Sequence, residues 1–224
     1  MMISERYSVT EDPVLTEQWK RIILHLPYAY QGKRMFPDIF RYDQRGTYEW
    51  ERITQELGPE PQKSDYPDLA AYEAAKNDFR RKLSKTESFK RFVKVRIERG
   101  QRASSLIGNQ YTGSIFLALM STLESDLHED NELTGCRFGF CGYGSGAKAK
   151  IFEGSIQPGW REIAKRFNLF ERLQKRTEID VEEYECLHRR LQVESIKTPS
   201  EEFILLNVEK DGEQVGQRSY AWIS

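Results

Sequence analysis

Hydrophobic residues along the chain fall into short apolar runs, typical of buried strands, and longer stretches with helical spacing. The first apolar run is 21–25, and Pro27 ends it because proline cannot continue a hydrogen-bonded ladder. A short helix is predicted before this run, over residues 14–20, and a longer one after it, over 30–40. The N-terminal part of the chain therefore places one strand between two helices.

Helical spacing dominates the middle of the chain. After the polar stretch 41–63, apolar residues recur at helical intervals over 67–99, which predicts one long helix or two with a break near 84–88. Gly100 is expected to stop this region. A further helix is predicted over 111–127, and its small residues favour close packing against a neighbour.

The rest of the chain returns to strand patterns. Residues 136–143 predict a strand that runs into a glycine-rich turn, and a second short strand follows through Phe152. An Asp-x-x-Glu start predicts a helix over 180–191, and 203–223 predict a hairpin. Short strands between helices favour a single α/β domain, 1–224, with a mixed sheet covered by helices.

Composition and charge limit the function. A net charge of −1 gives no global attraction to nucleic acid or anionic lipid, and no apolar run approaches the length of a membrane helix. Three cysteines at irregular spacing favour neither a disulfide framework nor a zinc ribbon, and with three histidines they show no metal-ligand spacing. We expect a cytoplasmic protein without a metal site.

One local charge feature has two interpretations. Basic residues crowd the region 80–102, where only two glutamates accompany them. The ten are Arg80, Arg81, Lys82, Lys85, Lys90, Arg91, Lys94, Arg96, Arg99 and Arg102. A solvated helix face is favoured over a phosphate-facing patch, but the sequence does not choose between them.

Compared with three known sequence motifs, the glycine-rich loop after the predicted strand matches none of them fully. Gly142-x-Gly144-x-x-Ala147 has the form of a dinucleotide-binding loop, but too few residues follow for the crossover helix. The G-x-S-x-G elbow fails around Ser145, and no Walker A sequence exists. A plain turn between strands is the simplest interpretation, although the loop also offers a hydroxyl and several backbone N–H groups.

Considered one at a time, the other polar candidates have structural explanations. His25 ends an apolar strand, where a hydrogen-bonded core histidine is the better interpretation. Asn109 precedes a predicted helix and resembles a cap or turn residue.

Four sequence elements together resemble those of hydroxymethylglutaryl-CoA (HMG-CoA) synthases. Gly-Asn-Gln-Tyr-Thr-Gly-Ser over 108–114 is similar to the family's G-N-x-Y-T-x-S, and Tyr-Gly-Ser-Gly-Ala over 143–147 to its Y-G-S-G-x. His-Leu-Pro-Tyr over 25–28 resembles its H-x-P-[FY], and residues 176–188 resemble its R…Y-E-x-L-H stretch. All four occur in the family's order and approximate spacing, from about residue 15 to the C-terminus.

The resemblance implies the C-terminal half of a thiolase-like fold. It also implies formation of HMG-CoA from acetyl-CoA and acetoacetyl-CoA, the reaction that leads to mevalonate and isoprenoids, with CoA thioesters as substrates and no separate cofactor. The family is expected to form homodimers when complete. It uses a glutamate and an acyl-accepting cysteine from its N-terminal half and a histidine from its C-terminal half.

By the same resemblance, the catalytic histidine is His25. Binding of the acyl-CoA substrates is assigned to Asn109 and Ser145, with Tyr111, Gly144 and Gly146 from the same two motifs. A thiolate takes the acetyl group and a carboxylate removes a methyl proton, so charge develops on carbonyl oxygens that need hydrogen-bond donors.

Two departures from the family pattern matter. The family often has lysine five residues after the histidine, where this chain has Tyr30, although Lys33 and Arg34 could meet CoA phosphates. No half with the glutamate and cysteine precedes His25, so the chain alone is expected to be inactive. A non-catalytic acyl-CoA-binding or partner subunit, or a β-branching synthase that acts on carrier-protein thioesters, remain alternatives.

Overall fold

The computed structural model describes residues 18–144, 146, 148–192 and 194–224, which form two compact units. The first unit ends at Gln174, and the second is Lys175–Ser224. The predicted helix over 14–20 lies largely outside the described residues, and its last two positions belong to a strand instead.

The first unit contains three strands and eight α-helices among its described residues. In chain order they are β1 (Trp19–Leu24), α1 (Gln31–Gln44), α2 (Tyr48–Leu57), α3 (Leu69–Leu83), α4 (Glu87–Arg96), α5 (Glu98–Ile107), α6 (Ser114–His128), β2 (Arg137–Gly144), β3 (Lys148–Ser155), α7 (Trp160–Lys165) and α8 (Leu169–Gln174). Short 3-10 turns occur at Lys63–Asp65 and Tyr111–Gly113. Every described helix is too short or too polar to span a bilayer.

The three strands form a mixed sheet, as the sequence predicted, and their order in it is β1-β2-β3. β1 pairs with β2 in parallel, and β3 pairs with β2 antiparallel, so that Ile23, Phe140 and Phe152 lie in one row. A parallel pair needs a long crossover, which α1 to α6 supply here. Ile22, Ile23 and Phe138 are almost fully buried and belong to the hydrophobic core.

Capping residues explain where the helices of the crossover begin. Thr47, Asp68 and Thr86 each accept a hydrogen bond from a backbone N–H in the first turn, which starts α2, α3 and α4. The predicted break near 84–88 is thereby confirmed. Helix α2 lies within the polar stretch 41–63, where no helix was predicted, because its buried face consists of little more than Trp50 and Ile53.

The prediction that Gly100 stops the helical region is wrong. Gly100 lies inside α5, and a Cβ at this position would be 3.2 Å from Oγ1 of Thr122 on α6. The glycine therefore allows two helices to approach closely. The short distance between α5 and α6 also lets the Ser121 hydroxyl donate to the Arg99 carbonyl and accept from the N–H of Ala103. The predicted close packing of this helix is confirmed.

The second unit contains helix α9 (Val181–His188) and the strands β4 (Glu202–Val208) and β5 (Arg218–Ile223). Asp180 and Glu183 form the predicted capping box at the start of α9, which ends three residues before the predicted limit. β4 and β5 pair antiparallel, so the hairpin is confirmed.

Candidate functional site

His25 stands immediately after the C-terminal end of β1, beside the start of α6. Its backbone N–H donates to the carbonyl of Cys141 at 3.0 Å, which extends the β1–β2 ladder by one residue. Its Nδ1 lies 2.9 Å from Oγ of Ser114, and the N–H of Leu26 donates to that Oγ at 3.0 Å. One serine hydroxyl therefore holds both the imidazole and the backbone that follows it.

The surroundings of His25 differ from those of an enclosed core histidine. The side chain is partly exposed, and Nδ1 bonds to a side chain rather than to a backbone group. In the part of the chain that the structure describes, Nε2 has no hydrogen-bond partner. Within the described residues, the ring thus has one anchored nitrogen and one nitrogen without a partner.

The loop that carries Asn109 leads directly to Ser114. Gly108 ends α5 with a positive φ of 93°, and the Oδ1 atom of Asn109 then accepts a hydrogen bond from the N–H of Tyr111 at 2.7 Å. Because this bond engages Oδ1, the Nδ2 group of Asn109 remains a donor on an exposed residue. Tyr111 is 77% exposed and starts the turn that delivers Ser114 to His25.

The glycine-rich segment lies between β2 and β3. Gly144 pairs with Lys148 at the end of the ladder, and Gly146 is an exposed turn residue. Ser145 lies outside the described residues. The turn leads into a strand, which confirms that the segment is not a dinucleotide-binding loop. The ring of Tyr143, just before Gly144, is centred 6.3 Å from that of His25.

The structure thus brings His25, Ser114 and Tyr143 together from three separate motifs. Sequence reasoning missed Ser114 as a site residue and assigned it to helix packing. The available signal was its position as the last residue of the G-N-x-Y-T-x-S element.

The two cations proposed to meet CoA phosphates lie in the first turn of α1. Lys33 and Arg34 are both exposed, and the guanidinium of Arg34 stands 5.7 Å from the ring centre of Tyr28. Tyr30, which replaces the family's lysine, is 55% exposed just before the helix. These side chains are accessible to a charged ligand from solvent.

The cysteine nearest the site is not suited to carry an acyl group. Cys141 lies on β2 opposite Leu24, and burial raises the pKa of its thiol to about 12. A nucleophilic cysteine needs the thiolate at neutral pH, and burial opposes that form. No cluster of three or more metal-ligating side chains occurs among the described residues.

Most cations of the basic run have acidic partners, which favours the solvated helix face over a phosphate patch. Lys82 pairs with Asp78, Lys90 with Glu87, and Arg99 with Asp126. Arg102 instead reaches Oγ of Ser125 and the ring of Phe170.

Comparison with known proteins identifies relatives over nearly the whole chain. Residues 5–204 match the family described as hydroxymethylglutaryl-coenzyme A synthase C terminal. The hydroxymethylglutaryl-CoA synthase of Haloferax volcanii is 29% identical over 189 residues, which cover 82% of this chain and 42% of that protein. The enzyme of Enterococcus faecalis is 33% identical over 102 residues, 46% of this chain and 26% of the relative.

Solved structures agree with these matches. MvaS in complex with 3-hydroxy-3-methylglutaryl coenzyme A superposes with a TM-score of 0.63 at 21% identity, over 99% of this chain and 46% of MvaS. The curacin pathway HMG synthase in complex with holo donor-ACP gives a TM-score of 0.62 at 18% identity, over 97% and 46%. The thiolase-like fold is thereby confirmed. The chain spans less than half the length of these relatives.

Proposed function

This chain belongs to the hydroxymethylglutaryl-CoA synthase C-terminal family, and we propose that it supplies the active-site histidine and part of the acyl-CoA cleft of such an enzyme. The reaction joins acetyl-CoA and acetoacetyl-CoA to give HMG-CoA, as in the mevalonate pathway. The observation that carries the proposal is the 2.9 Å contact between His25 and Ser114, which joins two family-like motifs at one point.

The chemistry explains why a histidine is useful at this point. A cysteine thiolate first takes the acetyl group from acetyl-CoA and releases CoA. A carboxylate then removes a proton from the acetyl methyl group, and the resulting carbanion attacks the ketone carbon of acetoacetyl-CoA. The ketone oxygen becomes negatively charged as the carbon–carbon bond forms, so a preorganised donor beside that oxygen lowers the barrier. The oxygen then takes up a proton, and water hydrolyses the cysteine thioester, which releases HMG-CoA and restores the thiol.

The described residues offer such donors. The Nε2 edge of His25 lacks a protein partner in the described part of the chain, and the Asn109 amide keeps its Nδ2 hydrogens available. In the proposed arrangement, His25 contacts the ketone oxygen, and Asn109 and Ser145 bind the thioester end of the substrate. Lys33 and Arg34 attract the CoA phosphates.

The thiolate and the carboxylate belong to another segment in this proposal. The high pKa of Cys141 argues against its use as the acyl acceptor. Several apolar side chains near the Asn109 loop are exposed to solvent, which suits contact with a second polypeptide segment. They include Leu106, Ile107, Tyr111 and Phe116. That second segment would carry the glutamate and the cysteine and complete the cleft.

A carrier-protein substrate is the second candidate. The Bacillus subtilis 3-hydroxy-3-methylglutaryl-ACP synthase PksG is 28% identical over 105 residues, and the curacin enzyme was solved with a carrier protein. The longer match to the Haloferax CoA enzyme favours free CoA thioesters. The two substrates are distinguishable because only free CoA carries the adenosine phosphates that Lys33 and Arg34 would meet.

The proposal is tested by assembling this chain with the segment that carries the glutamate and cysteine. HMG-CoA formation should require both parts, and Lys33→Ala/Arg34→Ala should raise the KM for CoA thioesters with little change in kcat. Turnover by the 224-residue chain alone would contradict the proposal. An assembled complex that binds acyl-CoA without turnover would instead identify a binding subunit.

A further inference from the structure

The proton of the buried Ser114 hydroxyl needs a hydrogen-bond acceptor, and Nδ1 of His25 is the atom placed to accept it. Ser114 is 1% exposed, and its Oγ already accepts the N–H of Leu26. A buried hydroxyl proton needs an acceptor of its own. Among the groups that the structure describes, Nδ1 of His25, at 2.9 Å, is the acceptor within reach of Oγ.

We propose that Ser114 is a positioning residue that donates its O–H to Nδ1 and so holds neutral His25 as the tautomer with its proton on Nε2. In the opposite tautomer, Nδ1–H would donate to Oγ, and the Ser114 proton would be left without an acceptor among the described groups. The serine thus selects one of two forms that free imidazole can adopt.

The selected tautomer determines what the open edge of His25 can do. With the proton on Nε2, the exposed nitrogen is a hydrogen-bond donor and not a base. A donor matches an oxygen that gains negative charge, whereas a bare Nε2 would repel it. The catalytic use of this tautomer rests on the proposed function. The tautomer itself depends only on the contacts of Ser114 and His25 in this chain.

Nitrogen NMR of the chain labelled with ¹⁵N-histidine tests the inference without any turnover. Only three histidines are present, so the His25 signals are identified by their loss in His25→Gln. At alkaline pH the wild-type spectrum should show protonated Nε2 in an excess on the order of tenfold or more, with Nδ1 shifted by the hydrogen bond that it accepts. A substantial Nδ1–H population in the wild type would overturn the inference.

Two substitutions distinguish the effect of the Ser114 hydroxyl from other effects of changing this residue. Ser114→Ala should move Nδ1 to its solvent-like shift and raise the share of the Nδ1–H form, while Ser114→Thr, which keeps Oγ, should retain the wild-type pattern. An unchanged Nδ1 shift in folded Ser114→Ala would also overturn the inference. If Ser114→Ala does not fold, the wild-type spectrum still decides. In the assembled enzyme, Ser114→Ala should lower kcat more than it raises KM, and failure of that enzyme to make HMG-CoA would count against the proposed function alone.

Discussion

Arg21 on β1 and Asp126 on α6 form a buried ion pair, in which Nε of the arginine lies 2.9 Å from Oδ2 of the aspartate. The same strand leads to His25, and the same helix begins with Ser114. The strand and the helix are therefore joined at both ends, by an ion pair at one and by the serine–histidine contact at the other. The ion pair helps to fix the position of α6 along β1.

Breaking this pair should strongly destabilise the first unit. Asp126→Ala leaves the Arg21 guanidinium, 3% exposed, without its carboxylate, and the expected loss is about 3–5 kcal/mol in the free energy of unfolding. Urea denaturation followed by circular dichroism measures it. The double variant Arg21→Met/Asp126→Leu should lose less, since neither member of the pair is left as an unpaired buried charge and Arg99 keeps Glu129 as a partner. A loss under about 1 kcal/mol in Asp126→Ala would show that the pair is not buried in solution.

A pair of glycines on β2 provides a matched test of the packing below the site. A Cβ at Gly139 would be 2.2 Å from the ring of Trp19, whereas a Cβ at Gly142 would meet its nearest atom, the Lys150 carbonyl oxygen, at 3.5 Å. Gly139→Ala should therefore cost about 1–3 kcal/mol and alter tryptophan fluorescence, while Gly142→Ala should do neither. Equal stability of the two variants would contradict the described placement of Trp19.

The sequence predicted most of the elements because their boundaries depend on local chemistry. Thr86 and the Asp180–Glu183 box are readable from the chain, since caps act within one turn. Gly100 was misread because its role depends on Thr122, which is distant in sequence. Ser114 was missed for the same reason, as its partner His25 lies 89 positions away.

Stability in acid should depend on Glu132. Hydrogen bonds from Thr134, from its side chain and then from its backbone, lower the pKa of Glu132 from 4.5 to about 2, with smaller contributions from Trp160 and Leu133. The depressed pKa means that the contribution of Glu132 is complete above about pH 4.5 and is lost as pH falls towards 2. Glu132→Gln should flatten the dependence of unfolding free energy on pH in that window, and parallel curves for both proteins would refute the assignment.

Cys141 should be the least reactive of the three thiols. With a pKa of about 12, it holds about one thiolate in 10⁴ at pH 8. Modification by a thiol reagent should reach Cys136 and Cys186 first, and incubation with acetyl-CoA should leave no acetyl group on Cys141 by mass spectrometry. An acetyl adduct on Cys141 would show that this chain carries its own acyl acceptor.

The proposed roles of the site residues come from the resemblance to the synthases, and the fold places His25 beside Ser114 and Tyr143. His25 alone resembled a core residue, because sequence cannot show that Nε2 lacks a protein partner in the described part of the chain. Asn109 resembled a turn residue, and its Oδ1 does make a turn bond with Tyr111. That local bond leaves the amide donors for a ligand, so the structural and the proposed functional interpretations are compatible.

The most direct test of the proposed function compares two histidines in the assembled enzyme, this chain together with the segment that carries the glutamate and cysteine. His25→Ala should lower kcat for HMG-CoA formation by roughly 10²–10⁴-fold, the range for a positioned proton donor or acceptor, with little change in stability. His128→Ala, at an exposed position on α6, should leave kcat unchanged. Full activity of the His25→Ala enzyme would contradict the account.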